Sequence, residues 1–298
     1  MMYEGILPVY KPAGMTSHDV VSKVRRLIRE RRIGHTGTLD PQVTGVLPLC
    51  IGRATRLVEY IQDLPKQYEA ELTVGISTDT EDRTGAITAA VDFVNLTEQQ
   101  IRSVMQSFVG EFEQIPPMYS AVKVAGKRLY ELAREGIEVE RKARKVQIYE
   151  IELCEWKLNQ NNPTIRFRVE CSKGTYIRTL CVDIGRALDY PAHMSDLVRT
   201  GTGFITLDQC LTFEEIAMRV DEGTFSQALI PADQGIKHLP VATLDENETK
   251  HAVHGRAIPF PNGISSTIYR TYGFDGKFLG IFRYEQELAV LKPEKVFL

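Results

Sequence analysis

The sequence has no C-x-x-C pair, no G-x-S-x-G elbow, no Walker-type phosphate loop, no dinucleotide fingerprint and no metal-spaced histidine cluster. These absences exclude the best-marked routes to redox, hydrolytic, nucleotide-driven and zinc chemistry. Its five cysteines (Cys50, Cys154, Cys171, Cys181, Cys210) are odd in number and scattered, which argues against a disulfide framework and suits free thiols in a reducing compartment. No apolar run approaches the ~20 residues of a membrane span. The opening MMYEGILPVYKPAG lacks the basic and apolar regions of a signal peptide. A soluble, cytoplasmic protein is expected. There is no net positive charge either: the formal value is -3, so no global basic field announces a nucleic-acid partner. Repeats and low-complexity tracts are also missing.

What is present is a chain of 298 residues, 43% apolar, enough for one large domain with a small appendage. Charge is segregated along it. Lys11 to Arg56 holds nine Lys/Arg against three Asp/Glu, and Ser120 to Lys145 eight against four. Ile6–Lys11 reads as a strand stopped by Pro12. Thr16 and Asp19 stand at capping-box spacing before a helix whose apolar side is Val20, Val21, Val24, Leu27 and Ile28. The other side carries Lys23, Arg25, Arg26, Arg29, Arg31 and Arg32 against Glu30 alone, a self-repelling face unless something anionic lies alongside. GVLPLCIG is a continuous apolar run, as in a strand buried on both faces, and ATRLVEYI after it reads as a helix. YEAELTVGI alternates as a half-buried strand does. An acidic turn, DTEDRTG, leads to another strand pattern, AITAAVDFV, and a helix follows Thr97. Residues 114–145 are basic, hold paired prolines and aromatics, and show one short helical pattern near Arg128–Ala133. Aromatics among cations suit stacking on bases while neutralising phosphates, although a mixed-charge surface insertion has the same composition. Strand patterns resume at VQIYEIELCEW and TIRFRVECS, and SKGTYIRTLCVDIGRAL turns into a helix. PADQGIKHLP reads as a linker, followed by a module of short strands with a hairpin turn at Asp275-Gly276.

The chemistry concentrates in GHTGTLDP, Gly34 to Pro41. Glycines allow unusual backbone angles and Pro41 biases Asp40 toward an extended conformation, so the loop should present the Asp40 carboxylate and the His35 imidazole in fixed directions. An ordinary turn whose Asp bonds its own backbone is the plain alternative. The remaining candidates, Tyr68, Tyr176 and Arg178, flank the basic surface. An Asp can act as a covalent nucleophile without a cofactor. A neighbouring Arg would keep it ionised by lowering its pKa. Beside a phosphate-binding surface, that points to glycosidic chemistry on a nucleotide held in RNA.

GHTGTLDP, TGVLPLCIGRATR, KQYEAELTVGISTDTEDRTG, IPPMYSAVKVAGKRLYELAREGIEV and CSKGTYIRTLCVDIG, in this order between Gly5 and Thr202, resemble the TruB family of bacterial tRNA pseudouridine synthases. The resemblance implies an α/β (α+β) fold: a mixed, mostly antiparallel sheet with flanking helices and a central cleft. It implies a catalytic domain over 1–235 with a thumb-like insertion at about 114–145, and a small β-rich, PUA-like RNA-binding domain over 236–298. The implied reaction is isomerisation of uridine 55 in the TΨC loop of tRNA to pseudouridine, with no cofactor, no metal, no membrane and no obligatory protein partner, by a monomer acting on the T stem-loop. By this resemblance Asp40 is the nucleophile, Tyr68 stacks on the base and moves a proton, and Arg178 pairs with Asp40. His35 wedges into the vacated loop, Tyr176 and Leu197 line the uracil pocket, and Lys11 and Pro12 lie near the substrate. One departure is DLVRT, where Val198 replaces the first arginine of the usual Leu-Arg-Arg-Thr; it puts one phosphate contact in question, while Arg199 keeps the second cation. Pro191-Ala192-His193 likewise replaces Gly-Ala-His. The competing expectations are an RNA-binding, tRNA-folding module with secondary catalysis, and a guide-RNA-dependent relative.

Overall fold

Strand β1 (Gly5–Lys11) pairs antiparallel with β3 (Thr44–Ile51) along its full length, Lys11 lying opposite Gly45. Between them run α1 (Ser17–Ile28) and the short β2 (Ile33–His35). The computed structural model describes residues 3–124, 126–158, 161–261, 263 and 267–297; Ala125, inside the thumb-like segment, lies outside the described residues. Helix α1 starts where its sequence says it should. The Thr16 hydroxyl accepts from the Asp19 amide and the Asp19 carboxylate accepts from the Thr16 amide at 2.9 Å, a reciprocal cap worth ~1 kcal/mol. Its Val20, Val21, Val24 and Ile28 pack on Leu47 and Leu49 of β3. The alternate β3 residues, Val46 and Cys50, face a second core with Ile6, Leu57 and Ile61, which explains why the strand is apolar throughout.

A 3-10 turn (Gly52–Leu57) and α2 (Val58–Gln62) lead to β4 (Lys66–Val74). The hairpin of β5 (Ile76–Thr78) and β6 (Ile87–Ala90) brackets the acidic turn. Then come α3 (Glu98–Ser107), β7 (Gly110–Gln114), the short β8 (Lys123–Val124) paired with β9 (Lys127–Arg128), and α4 (Leu129–Arg134). The long β10 (Arg144–Lys157) returns, followed by β11 (Thr164–Cys171), α5 (Ile177–Ala187), β12 (Ala192–Thr202), β13 (Ile205–Thr206) and α6 (Phe213–Asp221). The main sheet has the order β1-β3-β12-β4-β11-β10-β7, antiparallel except where β12 runs parallel to β3. Strand β12, unmarked by any clear alternation, is the central seam. At Gly45 (φ +109°) a Cβ would lie 2.1 Å from the Arg199 carbonyl oxygen, so glycine is what lets β3 and β12 meet.

The small C-terminal sheet orders β14 (Val241–Thr243), β16 (Ile268–Tyr272), β17 (Phe278–Glu285), β18 (Val290–Val296) and β15 (Ile258–Pro259), with α7 (Glu246–Val253) alongside. The segment that reads as a linker is no free tether. Ala232 and Ile236 are buried with Ile6, Leu57 and Ile61, and Ile281 and Phe297 of the small domain join the same cluster. Tyr60 Oη donates to Glu294 at 2.9 Å and Lys295 pairs with Glu59 at 2.7 Å across this contact. No helix among the described residues is long and apolar enough to cross a membrane.

Candidate active site

The Asp40 loop is held from several sides. Thr36 N–H donates to Pro48 O (3.1 Å), Leu39 N–H to Ser17 Oγ at the start of α1 (2.9 Å), and Val43 N–H to Asp40 O (3.1 Å). Gly37 sits at φ +141°, a backbone angle that favours glycine. Lys11 completes the clamp from β1: its ammonium donates to Pro12 O (2.9 Å), Pro41 O (3.0 Å) and Val43 O (2.7 Å). All three N–H groups are spent on carbonyls, so Lys11 is a fully buried bolt beneath the loop, and burial lowers its pKa to about 8. Lys11→Met should therefore lower the unfolding free energy by ~2–4 kcal/mol in urea titrations, because three carbonyls lose their donor.

Arg178, on the first turn of α5, reaches across to this loop. Its Nε lies 3.0 Å from Asp40 Oδ2, and its side chain is 6% exposed against 42% for Asp40. The rest of the guanidinium donates to Tyr119 O (2.8 Å) and Thr80 O (3.2 Å), with Asp82 Oδ2 at 4.0 Å. One buried cation thus ties together the Asp40 loop, the acidic turn and the segment at Tyr119. From sequence, a neighbouring arginine is expected to lower the Asp40 pKa. Arg178 does pull it down and Lys11 assists, but burial is the larger effect and Asp82 adds repulsion, so the net displacement is upward.

Asp40, Arg178, Tyr68, Tyr176, Leu197 and Val43 line one cavity of about 270 Å³, near the small end of ligand pockets. Tyr68 projects from β4, between β11 and β12 in the sheet, and burial pushes its phenol up to about 12. Tyr176 caps α5, and its backbone is gripped by Gln114, which donates to Tyr176 O (3.1 Å) and accepts from Tyr176 N–H (2.8 Å). Three sequence candidates are not cavity walls. Lys11 lies under the loop, Pro12 follows it, and His35 is half-buried on β2, its Nδ1 accepting from Gly37 N–H at 3.4 Å. Burial lowers the His35 pKa.

Gln114, Asp82 and Arg199 escape sequence reasoning as site residues. Gln114 carries no motif signal at all, Asp82 reads only as part of an acidic turn, and Arg199 reads as a phosphate-facing cation. It is instead 1% exposed inside the sheet. On α1, Arg25 donates to Ile33 O (3.0 Å) and Lys23 lies over the Phe213 ring (4.1 Å), which leaves Arg26 facing solvent; the helix ends at Ile28, so the exposed Arg29, Arg31 and Arg32 belong to its C-cap and the turn after it, not to the helix face. On α4, Tyr130 stands between Arg128 and Arg134, whose guanidinium carbons lie 5.7 and 5.5 Å from the ring centre.

A mixed, mostly antiparallel sheet thus brings a carboxylate, a guanidinium and a phenol into one cleft. Residues 25–177 match the sequence model of the TruB family pseudouridylate synthase N-terminal domain, and 178–237 match that of the tRNA pseudouridylate synthase B C-terminal domain. The chain belongs to the TruB family. It is 50% identical to tRNA pseudouridine synthase B of Bacillus licheniformis over 100% of this chain and 98% of the relative. It is 45% identical to tRNA pseudouridine synthase B of Bacillus subtilis, again over 100% and 98%. Among solved structures, the chain matches one in a Cbf5-Nop10-Gar1 complex with a TM-score of 0.77 and 28% identity, covering 99% of this chain and 85% of that one.

Proposed function

We propose that this protein isomerises uridine 55 in the TΨC loop of tRNA to pseudouridine, with Asp40 as the nucleophile. The observation that carries the reading is the Asp40–Arg178 pair, at 3.0 Å, in a cavity that also holds Tyr68 and Leu197. The cavity has room for about one nucleotide, so the uridine must leave its stack, at a cost of a few kcal/mol, to reach Asp40. Stacking on Tyr68, worth ~1–3 kcal/mol, and His35 filling the gap left behind would offset that cost. Exposed Arg26, Arg29, Arg31 and Arg32, with the Arg128–Tyr130–Arg134 stack of the thumb, hold the T stem-loop by its backbone without reading sequence. Tyr176 and Leu197 bound the uracil, while Lys11 and Pro12 act by holding the Asp40 loop.

In this reading residues 1–235 form the catalytic domain, 114–145 its thumb, and 236–298 a PUA-like RNA-binding domain; the enzyme works as a cytoplasmic monomer without a cofactor. A stand-alone enzyme is favoured over a guide-dependent one by the full-length identity of 50% to the Bacillus licheniformis relative against 28% to the chain in the Cbf5 complex. The test is conversion of an in vitro transcribed tRNA by the purified protein, mapped by mass spectrometry. Pseudouridine at position 55, lost when that uridine is replaced by cytidine, is the expected result. Unmodified uridine 55, or modification elsewhere with 55 untouched, would refute the assignment.

A further inference from the structure

Arg199 is a buried cation with no obvious partner. It lies directly opposite Tyr68 on the β12–β4 ladder; the groups that favour its charge are Tyr68 and Cys210, not a carboxylate, and Lys11 and Lys66 repel it. Nε donates to Val46 O (2.5 Å) and Nη2 approaches Gly37 O (3.5 Å), while the guanidinium faces the Tyr68 hydroxyl. Burying an arginine this way is costly, since neutral oxygens repay little of its lost hydration. A guanidinium has five N–H donors and no acceptor. In any hydrogen bond between the two, Tyr68 Oη must therefore be the acceptor, which leaves the phenol's own proton free to turn toward the cavity that both residues line. The same guanidinium touches the carbonyl of Gly37 in the Asp40 loop, so it spaces the tyrosine relative to the nucleophile.

We infer that Arg199 is a positioning residue for the Tyr68 phenol, presenting its proton to the uracil and stabilising the phenolate that remains; this rests on the functional reading above. Isomerisation breaks C1′–N1, forms C1′–C5, removes one proton from C5 and adds one to N1. A phenol that gives its proton to N1 and takes the C5 proton ends in its starting state, so the balance closes without another reactant. Between those transfers the oxygen is anionic, and Arg199 is the cation beside it. Arg199 pulls the Tyr68 pKa down against burial, while the other groups facing the hydroxyl, Cys171 on β11 and Asp40, push it up.

The test compares wild type, Arg199→Lys, Arg199→Met, Tyr68→Phe and the Arg199→Met/Tyr68→Phe double variant. The readouts are single-turnover rates on tRNA, tRNA affinity, the C5-deuterium isotope effect, and titration of the Tyr68 Cζ resonance. Arg199→Met should slow turnover at least ~100-fold, the scale of a lost acid–base function, with tRNA affinity changed less than about threefold. The isotope effect should grow, the Tyr68 titration should move to higher pH, and adding Tyr68→Phe should slow the variant less than about threefold further. Arg199→Lys, which keeps the charge without the fork, should recover part of the rate. Equal losses in affinity and rate, multiplicative single-variant effects, or an unmoved Tyr68 titration would overturn the inference. If Arg199→Met does not fold, Arg199→Lys and its double variant with Tyr68→Phe carry the same comparisons. Inactive wild type would refute the functional reading; active wild type with independent Arg199 and Tyr68 effects would refute this inference alone.

Discussion

Asp40→Asn is expected to abolish pseudouridine formation, by at least ~10⁴-fold in single-turnover rate, as removal of a covalent nucleophile does. The amide has the same shape, and its oxygen can still accept from Arg178 Nε, so the loop clamped by Lys11, Ser17 and Pro48 should not move. Affinity for tRNA should stay within about threefold, because the backbone is held elsewhere. Stability supplies an independent check. The folded-state pKa of Asp40 is raised, so its contribution to stability is full at pH below the unfolded pKa and is lost as pH rises through the folded one. The asparagine variant has no such dependence. In urea titrations it should equal or exceed wild type near pH 7, and its relative advantage should shrink as the pH is lowered into the carboxylate range. A residual rate within tenfold of wild type would remove Asp40 from the mechanism.

Arg178→Met should be the second most damaging change, with losses of ~10²–10⁴-fold. Three things fail together. Asp40 loses its ion pair, the Tyr119 and Thr80 carbonyls lose their donor, and the segment at Tyr119 loses its tie to the Asp40 loop. Breaking a buried pair typically costs 3–5 kcal/mol; because Asp40 still meets solvent, ~2–4 kcal/mol is the expected loss here. The sign of the pH effect follows from the causes. Arg178 lowers the Asp40 pKa, so its removal raises it further, the acid limb of the rate profile moves to higher pH, and part of the activity returns as pH increases. Asp82→Asn should do the reverse, because it removes a like charge and lets Asp40 ionise at lower pH. If the acid limb stays in place in both variants, it belongs to another group.

Local structure was legible wherever a local rule decided it. The Thr16–Asp19 box starts α1, Thr97 starts α3, the alternation of YEAELTVGI makes β4, and the all-apolar GVLPLCIG makes a doubly covered β3. The AITAAVDFV pattern delivered less: only Ile87–Ala90 is a strand, and it is exposed, because it pairs with β5 alone and packs on no second layer. Strand β12 was hidden because AHMSDLVRTGT puts a serine, an aspartate and an arginine in a central strand, with register shifts after Met194 and Arg199. Those shifts break the period of two on which strand recognition depends.

For the site, the sequence on its own determined the reactive types and their order: an Asp in a glycine-bounded loop, a Tyr on a strand, an Arg after a turn and a run of cations along and just after α1. Composition and motif suffice for that, since such choices are local. Only the tertiary structure decided which groups meet and in what state. Asp40, Tyr68 and Arg178 come from three separate stretches, and a single cavity joins them. Burial raises the Asp40 pKa although its arginine pulls the other way. Lys11 and Arg199 read alike as cations, yet one is spent on three loop carbonyls and the other sits beside a phenol. Desolvation and hydrogen-bond partners depend on what packs around a group, and neighbours distant in sequence supply most of that packing.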